Sequence, residues 1–255
     1  GGVDSSVAAA VLIEEGFDVT GVTMKLWGGS SDTGCCSVSD VIDARRVADQ
    51  LGIPHHVFNF GDEFDAHVVE PYVEAHALGE TPNPCIECNR HVKFDKLFRR
   101  ANALGFDMIA TGHHAQITEE KGNFRIMRSV DQSKDQSYVL HMLTQEQLQK
   151  LRFPIGTMTK KQVREKANAL SMQTAGKADS QDVCFISRTK GGRQIFLQER
   201  LEMTAGQVID TTGAKIAGVK AVEMVTIGQR KGLGVSGERN PQYAIDVDVQ
   251  QATVT

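Results

Sequence analysis

Six residues at the start of the chain, Gly1-Gly2-Val3-Asp4-Ser5-Ser6, combine types that can hold an anion. Glycines let successive backbone N–H groups point inward as a nest. A helix opening behind them adds positive potential, and Ser5 and Ser6 offer hydroxyl donors. A phosphate fits such a turn, although a plain strand-to-helix turn can carry the same letters. No Lys follows at the spacing of a Walker loop. The second group is sulfur. Cys85 and Cys88 stand just after Asn83, a good N-cap, and Pro84, suited to a first helical position. Residues three apart share a helix face, and a helix N-terminus favours the thiolate. Arg90, His91 and Lys93 would add to that effect if they faced it. Three uses stay open: a redox pair, half of a metal or cluster site, or inert buried thiols. Cys184, in the run Asp179-Ser180-Gln181-Asp182-Val183-Cys184-Phe185, reads as core unless the fold brings it to Cys88. The adjacent Cys35 and Cys36 cannot easily aim at one centre and read as packing or loop.

Elements must position these groups, and the first two-fifths of the chain supplies alternating helices and strands. Helices are expected over Asp4 to Glu15, stopped by Gly16, and over Asp40 to Leu51. Strands are expected over Asp18 to Leu26, Pro54 to Phe60 and Phe106 to Thr111. A helix from Asn83 should bury Phe94, Leu97, Phe98 and Ala101. Such alternation implies an α/β domain with a parallel sheet, whose ligands sit at the carboxyl ends of the strands. That rule puts Gly1–Ser6, Met24–Trp27 and Gly112–His113 on one edge. Two more helices are expected over Gln145 to Leu151 and Lys160 to Ala169. Beyond a boundary near residue 188 come one helix, Gln194 to Glu202, and short β-like runs broken by glycines. Tyr243 to Thr255 alternates like a strand. Gly232-Leu233-Gly234-Val235-Ser236-Gly237 spells GxGxxG, but no helix opens after it, so it is not a dinucleotide fingerprint.

Composition narrows the class. The chain has 255 residues, 40% hydrophobic and 24% charged, with a formal net charge of −4. This is globular composition, without the bulk positive charge of a protein that coats polyanions such as DNA. No apolar run approaches the roughly 18 residues of a membrane span. Five cysteines, an odd number over so long a chain, argue against a secreted disulfide framework and for a cytoplasmic protein. The Gly-rich turn with no strand before it reads as the start of a fragment truncated at both ends.

The set of motifs resembles one family. Gly1–Ser6 looks like the tail of the pyrophosphatase loop of the ATP pyrophosphatase superfamily. Thr81-Pro82-Asn83-Pro84 with Cys88-Asn89, then Ala110-Thr111-Gly112-His113, then Lys134-Asp135-Gln136-Ser137-Tyr138, then Asp179 to Ile186, then Thr226 to Gly234, follow in one order. That series is similar to the bacterial tRNA-specific 2-thiouridylases over essentially the whole chain. The resemblance implies an adenine nucleotide alpha hydrolase-like domain over 1–187 and a small β-rich domain over 188–255, with the family's C-terminal β-barrel missing. It implies ATP-dependent thiolation of the wobble uridine of tRNAs for Lys, Glu and Gln, with Mg²⁺ and a persulfide-carrying sulfur donor protein. It carries ATP binding to Gly1, Gly2, Val3, Asp4, Ser5, Ser6, Met24 and Gly112. It carries contact with the target base to Asn83, Pro84 and Cys85, and tRNA contact to His113, Lys134, Asp135 and Gln136. Cys88 becomes the nucleophile and Cys184 the persulfide carrier, able to form a disulfide together. One branch of the family has Asp where Cys85 stands. Cys85, Cys88 and Cys184 could instead hold a [4Fe-4S] cluster with one iron open to sulfide, and the cluster gives the third thiol a task. Other adenylating enzymes or sulfurtransferases, and a non-catalytic nucleotide-binding fragment, are the alternatives.

Overall fold

The structure, a computed structural model, describes residues 2–26, 38–179, 183–186, 192–235 and 241–255. Gly1, Trp27, the Cys35-Cys36 pair, Ser180-Gln181-Asp182 and Ser236-Gly237 lie outside the described residues.

Along the chain the elements are α1 (Val3–Glu14), β1 (Gly21–Lys25), α2 (Val38–Leu51), β2 (His55–Asn59), α3 (Gly61–Phe64), α4 (Glu70–Ala77), α5 (Pro84–Glu87), α6 (Leu97–Ala103), β3 (Ile109–Ala110), β4 (Ala115–Glu120), β5 (Asn123–Arg128), α7 (Gln145–Gln149), β6 (Leu151–Arg152), α8 (Lys160–Ala169), α9 (Gly192–Gln198), β7 (Gly206–Ile209), β8 (Lys215–Val219), β9 (Val247–Asp248) and β10 (Thr253–Val254). They fall into two units, Gly1–His67 with Cys85–Phe185, and Val68–Pro84 with Ile186–Thr255.

In the first unit, β1 pairs with β2 and β3 with β6, both parallel, as the α/β reading expects. α1 is rich in small residues because it is covered on several sides. Val3, Val7, Ala8 and Ala10 form one cluster with Ile155, Val163, Ala167 and Met172, so α1 lies against α8. Gly16, at φ 87°, ends the helix, and the Phe17 amide returns to the Leu12 carbonyl at 3.0 Å. Phe94, Leu97, Phe98 and Ala101 are buried as expected, but the path between α5 and α6 is not plain α-helix. Cys88–Lys96 winds as a π-helix, a form with i→i+5 bonds that sequence periodicity does not disclose. The sequence reading also passed over the antiparallel hairpin β4–β5. Its turn uses Lys121 and Gly122, both at positive φ, and a short apolar alternation, Ala115 with Ile117 and Phe124 with Ile126, is the sequence cue to it.

The second unit holds a four-stranded sheet in the order β8-β7-β10-β9 over a core of Val208, Val222, Val225, Leu233, Ala244 and Val254. The segment Val68–Pro84 is fastened into it by His76, which is 1% exposed and meets the Glu223 carbonyl through Nδ1 at 3.0 Å. Tyr243 to Thr255 is not one strand. The Asp248 carboxylate accepts the Gln251 amide at 2.9 Å and Ala252 sits at φ 51°, so the chain turns and β9 pairs antiparallel with β10.

Gly156 shows how tightly the first unit is built. A Cβ there would fall into the Ala115 carbonyl, which is backbone and cannot swing aside. Gly156→Ala should therefore cost at least the ~1–3 kcal/mol typical of overpacking. Gly176→Ala, whose Cβ would meet nothing within 4 Å, should shift stability by less than about 1 kcal/mol. Urea unfolding of the two variants against the parent measures the contrast.

Candidate functional site

The first turn of α1 has Gly2 as N-cap, at φ −94° and ψ −174°, and no side chain caps it. Ser5 and Ser6 donate their hydroxyls to the Gly2 carbonyl at 3.1 and 2.9 Å. Thr174 donates to the Ser6 hydroxyl oxygen at 3.2 Å. Gly112 lies directly on this turn. A Cβ there would stand 2.7 Å from both the Asp4 carbonyl carbon and the Ser5 nitrogen, so only glycine lets the end of β3 approach it. The sequence expectation that Gly1–Ser6 and Gly112 share an edge therefore holds for the described part, Gly2–Ser6. Met24 lies half-buried in β1, paired with Phe58 of β2. Between β1 and β3 runs a cleft of about 240 Å³, with Ser5, Ser6, Thr111 and Gly112 in its lining and mostly apolar walls. Its polar lining comes from the α1 start and also from Asp18, Thr23, His55 and Arg152; of these, the helix start is suited to a phosphate.

Asp4 is the charged member of that turn. Lys160 Nζ lies 2.7 Å from each of its carboxylate oxygens, and His114 Nε2 lies 3.2 Å from Oδ1. Burial alone would push the Asp4 pKa up; the bonds from His114 and Lys160 and the Lys160 charge outweigh it and hold the carboxyl below its usual range. His114 is 3% exposed, and its Nδ1 has no hydrogen-bond partner. Protonation at Nε2, facing Asp4, leaves Nδ1 as the bare acceptor. Lys160 also reaches Asp179 Oδ1 at 3.0 Å. Asp179 is bound again by Arg164 at 2.6 Å and by Lys134 at 2.9 Å. Desolvation works against its ionised form, but the bonds from Lys134 and Lys160 dominate and hold it far below the ordinary carboxylate range.

Sequence reasoning missed Lys160, Arg164 and His114. A signal for Lys160 exists. Thr159 and Gln162 make a capping box that fixes Lys160 at the first position of α8, where the helix dipole disfavours a cation. A locally unfavourable residue of that kind points to a partner elsewhere in the fold.

The expected tRNA-contact residues fare differently. His113 is 7% exposed, stands near the rings of Phe94 and Phe153, and meets Thr111 Oγ1 through Nδ1 at 2.6 Å. Burial pushes its pKa well below the usual value. It is an enclosed histidine here, held neutral by that burial. Asp135 accepts the Ser129 amide at 2.8 Å and the Ser137 hydroxyl at 2.7 Å, while Gln136 accepts the His114 amide at 3.0 Å. Asp135 holds its own loop, and Gln136 ties that loop to the backbone at His114. Lys134 is 40% exposed and keeps a charge at the surface beside Asp179.

The thiols complete the picture. α5 begins at Pro84, with Asn83 exposed before it. Cys88 is buried, Cys85 and Cys184 are half-buried, and all three are thiols rather than disulfides. Among the described residues no three Cys, His, Asp or Glu side chains gather as a metal-holding group. The expected cluster ligands Cys85, Cys88 and Cys184 are all described and are not gathered as such a group. Lys160 engages both oxygens of the Asp4 carboxylate.

Comparison with known proteins covers both units. A family model described as the tRNA methyl transferase HUP domain matches residues 1–188, and one described as the tRNA methyl transferase PRC-barrel domain matches residues 194–255. The chain is 47% identical over 262 residues to the tRNA-specific 2-thiouridylase MnmA of Mycobacterium ulcerans, covering 100% of this chain and 70% of that protein. The chain belongs to the tRNA-specific 2-thiouridylase family. Its likeness to the MnmA of Mycolicibacterium vanbaalenii is 48% over 262 residues, taking in 100% of this chain and 72% of that protein. To the MnmA of Chloroflexus aurantiacus it is 45% over 253 residues, taking in 97% and 70%. The thiouridylase architecture of a HUP α/β domain followed by a small PRC-barrel-like domain accounts for the parallel pairs of the first unit and the β-rich second unit.

The Asp4 and Asp179 carboxyls predict a pH dependence. Their folded pKa values lie below the unfolded ones, so the stability they contribute is present above about pH 4 and is lost as pH falls through the folded values. Urea midpoints measured from pH 6 down to pH 3 should fall most steeply below about pH 4. Asp179→Asn should flatten that fall.

Proposed function

We propose that this protein catalyses ATP-dependent 2-thiolation of the wobble uridine in tRNAs for Lys, Glu and Gln. The observation that carries this reading is the whole-chain membership of the thiouridylase family, with Cys88 and Cys184 both present at its motifs. The C2 carbonyl of uridine is a poor electrophile without a leaving group. Attack of its oxygen on the α-phosphorus of ATP expels pyrophosphate and leaves AMP on the base. The uncapped N-H groups at the start of α1 would hold the phosphates, with Gly2, Val3, Ser5 and Ser6 lining the turn. Met24 and Gly112 bound the nucleotide from the neighbouring strand ends.

Sulfur transfer follows. A persulfide on Cys184, loaded by a sulfur donor protein, attacks C2 through its terminal sulfur, and AMP departs. Cys88 then attacks Sγ of Cys184. The S–S bond to the transferred sulfur breaks, 2-thiouridine is released, and a Cys88–Cys184 disulfide remains for an external thiol to reduce. Covalent catalysis thus divides one difficult substitution into smaller steps. A base from a single-stranded loop can be splayed toward Asn83, Pro84 and Cys85 at a cost of about a few kcal/mol or less. Lys134 supplies surface charge for RNA, so affinity should fall with salt.

Nucleoside mass analysis tests the reading. tRNA incubated with the protein, ATP, Mg²⁺ and a persulfide donor should gain 2-thiouridine. Cys184→Ser and Cys88→Ser should lower the rate on the order of 10³-fold or more, as loss of a covalent nucleophile does. Cys85→Ala and Cys85→Asp should keep a readily measured rate in iron-free protein. A Cys184→Ser variant with full activity from that donor would overturn the persulfide assignment, and activity that tracks iron content would restore the cluster.

A further inference from the structure

Asn89 directly follows Cys88 in the chain and is 1% exposed. Its Nδ2 donates to the Val139 carbonyl at 3.2 Å, and its Oδ1, equally buried, has no hydrogen-bond partner among the described residues. The Val139 carbonyl decides which end of the amide faces it, because only the NH2 group can donate. A buried acceptor left bare costs stability. An apolar side chain of the same shape, such as leucine, would remove that oxygen and deprive the Val139 carbonyl of this donor in exchange. Stability alone therefore gives a carboxamide little advantage here. What the bond does provide is direction. Val92 and Phe94, both fully buried, seat the π-wound segment Cys88–Lys96 on the core, but apolar burial is non-directional. Further along, Gln147 donates to the Phe94 carbonyl, and Asn89 makes a matching tie one residue from the thiol. Its acceptor is itself fixed. The Val139 N–H donates to the Gln136 carbonyl at 3.2 Å, the Gln136 N–H donates to the His114 carbonyl at 2.9 Å, and Gln136 Oε1 accepts the His114 N–H at 3.0 Å. The segment that carries Cys88 is thereby registered against the backbone at His114, close behind Gly112, and every link lies within the first unit.

We propose that Asn89 is a positioning residue for Cys88: its bond to the Val139 carbonyl sets the rotation of the segment about its own axis, and so the direction of the Cys88 thiol. The proposal rests on the reading of Cys88 as the nucleophile of sulfur transfer. Loss of the bond turns the thiol without unseating the segment, because Val92 and Phe94 still hold it to the core. The step that the thiol performs should slow, while tRNA affinity, which rests on surface charge such as that of Lys134, should not change.

The test compares the full chain with three variants: Asn89→Leu keeps the shape and removes the donor, Asn89→Ser is too short to reach Val139, and Asn89→Gln keeps the donor. Alkylation by iodoacetamide is read thiol by thiol by mass spectrometry, and thiolation is read as kcat and KM for tRNA by nucleoside analysis. In Asn89→Leu and Asn89→Ser the Cys88 alkylation rate should change by about threefold or more while that of Cys85 stays within about twofold, because small displacements at a reacting group have large rate effects. Their kcat should fall on the order of tenfold or more at unchanged KM, with the urea midpoint near that of the parent. Asn89→Gln should restore part of both rates. If Asn89→Leu fails to fold, Asn89→Ser decides alone, since a smaller side chain cannot overpack the site. A general loosening would speed Cys85 and Cys88 together and lower the urea midpoint; that result overturns the proposal, as does a Cys88 rate that ignores both substitutions. A Cys88 alkylation rate that responds to Asn89 while Cys88→Ser stays fully active overturns instead the reading of Cys88 as the nucleophile.

Discussion

The bond between Asp4 and Lys160 fixes where α1 begins. Asp4 stands in the first turn of a helix, where the dipole favours a carboxylate, and Lys160 stands at the first position of another, where the dipole opposes an ammonium. The two helix starts therefore face each other with one favourable and one unfavourable charge, and the pair reconciles them. Such a pair adds little compared with an apolar contact, and each member keeps a second partner, Asp179 for Lys160 and His114 for Asp4. The arrangement is a constraint on geometry more than a source of stability.

The surrounding structure is shaped to bring that pair together. α1 and α8 meet through Val7, Ala10, Val163 and Ala167, residues short enough to let two backbones approach. Gly112 lies against the α1 backbone, and Gly156 lies against the backbone at Ala115, the first residue after His114. The three elements that touch Asp4, by His114, by Lys160 and by its own helix, are thus held at main-chain rather than side-chain distance. A site assembled in this way tolerates little volume change, which is the ordinary behaviour of close-packed interiors.

Local residues disclosed much of this. Gly16 as a helix stop, Pro84 as a helix start and the stripe from Phe94 to Ala101 could be read because each depends on backbone conformation or periodic burial. The α/β class was legible from alternation, and the family from motifs spread over the chain. Other features depended on distant partners. Nothing near Lys160 in the sequence names Asp4 or Asp179. His113 looked like a ligand because it follows a strand end, yet Phe94 and Phe153 arrive from elsewhere and enclose it. The π-wound stretch from Cys88 to Lys96 keeps an apolar pattern close to that of an α-helix, so periodicity does not separate the two. The hairpin β4–β5 offers only a short alternation, Ala115 with Ile117 and Phe124 with Ile126, beside its Lys-Gly turn.

The hydroxyls of Ser5 and Ser6 set a condition on what can enter at the α1 start. Both protons are already given to the Gly2 carbonyl. An incoming group therefore gains nothing by being merely an acceptor, because each hydroxyl would exchange one partner for another of equal strength. Only an acceptor with charge, whose bonds are roughly twice as strong as neutral ones, wins the exchange. The Gly2 carbonyl keeps the Ser6 amide at 3.3 Å when the hydroxyls turn away, so it is not left bare. The turn thus favours a charged acceptor over a neutral one, and would admit it by substitution rather than by vacancy.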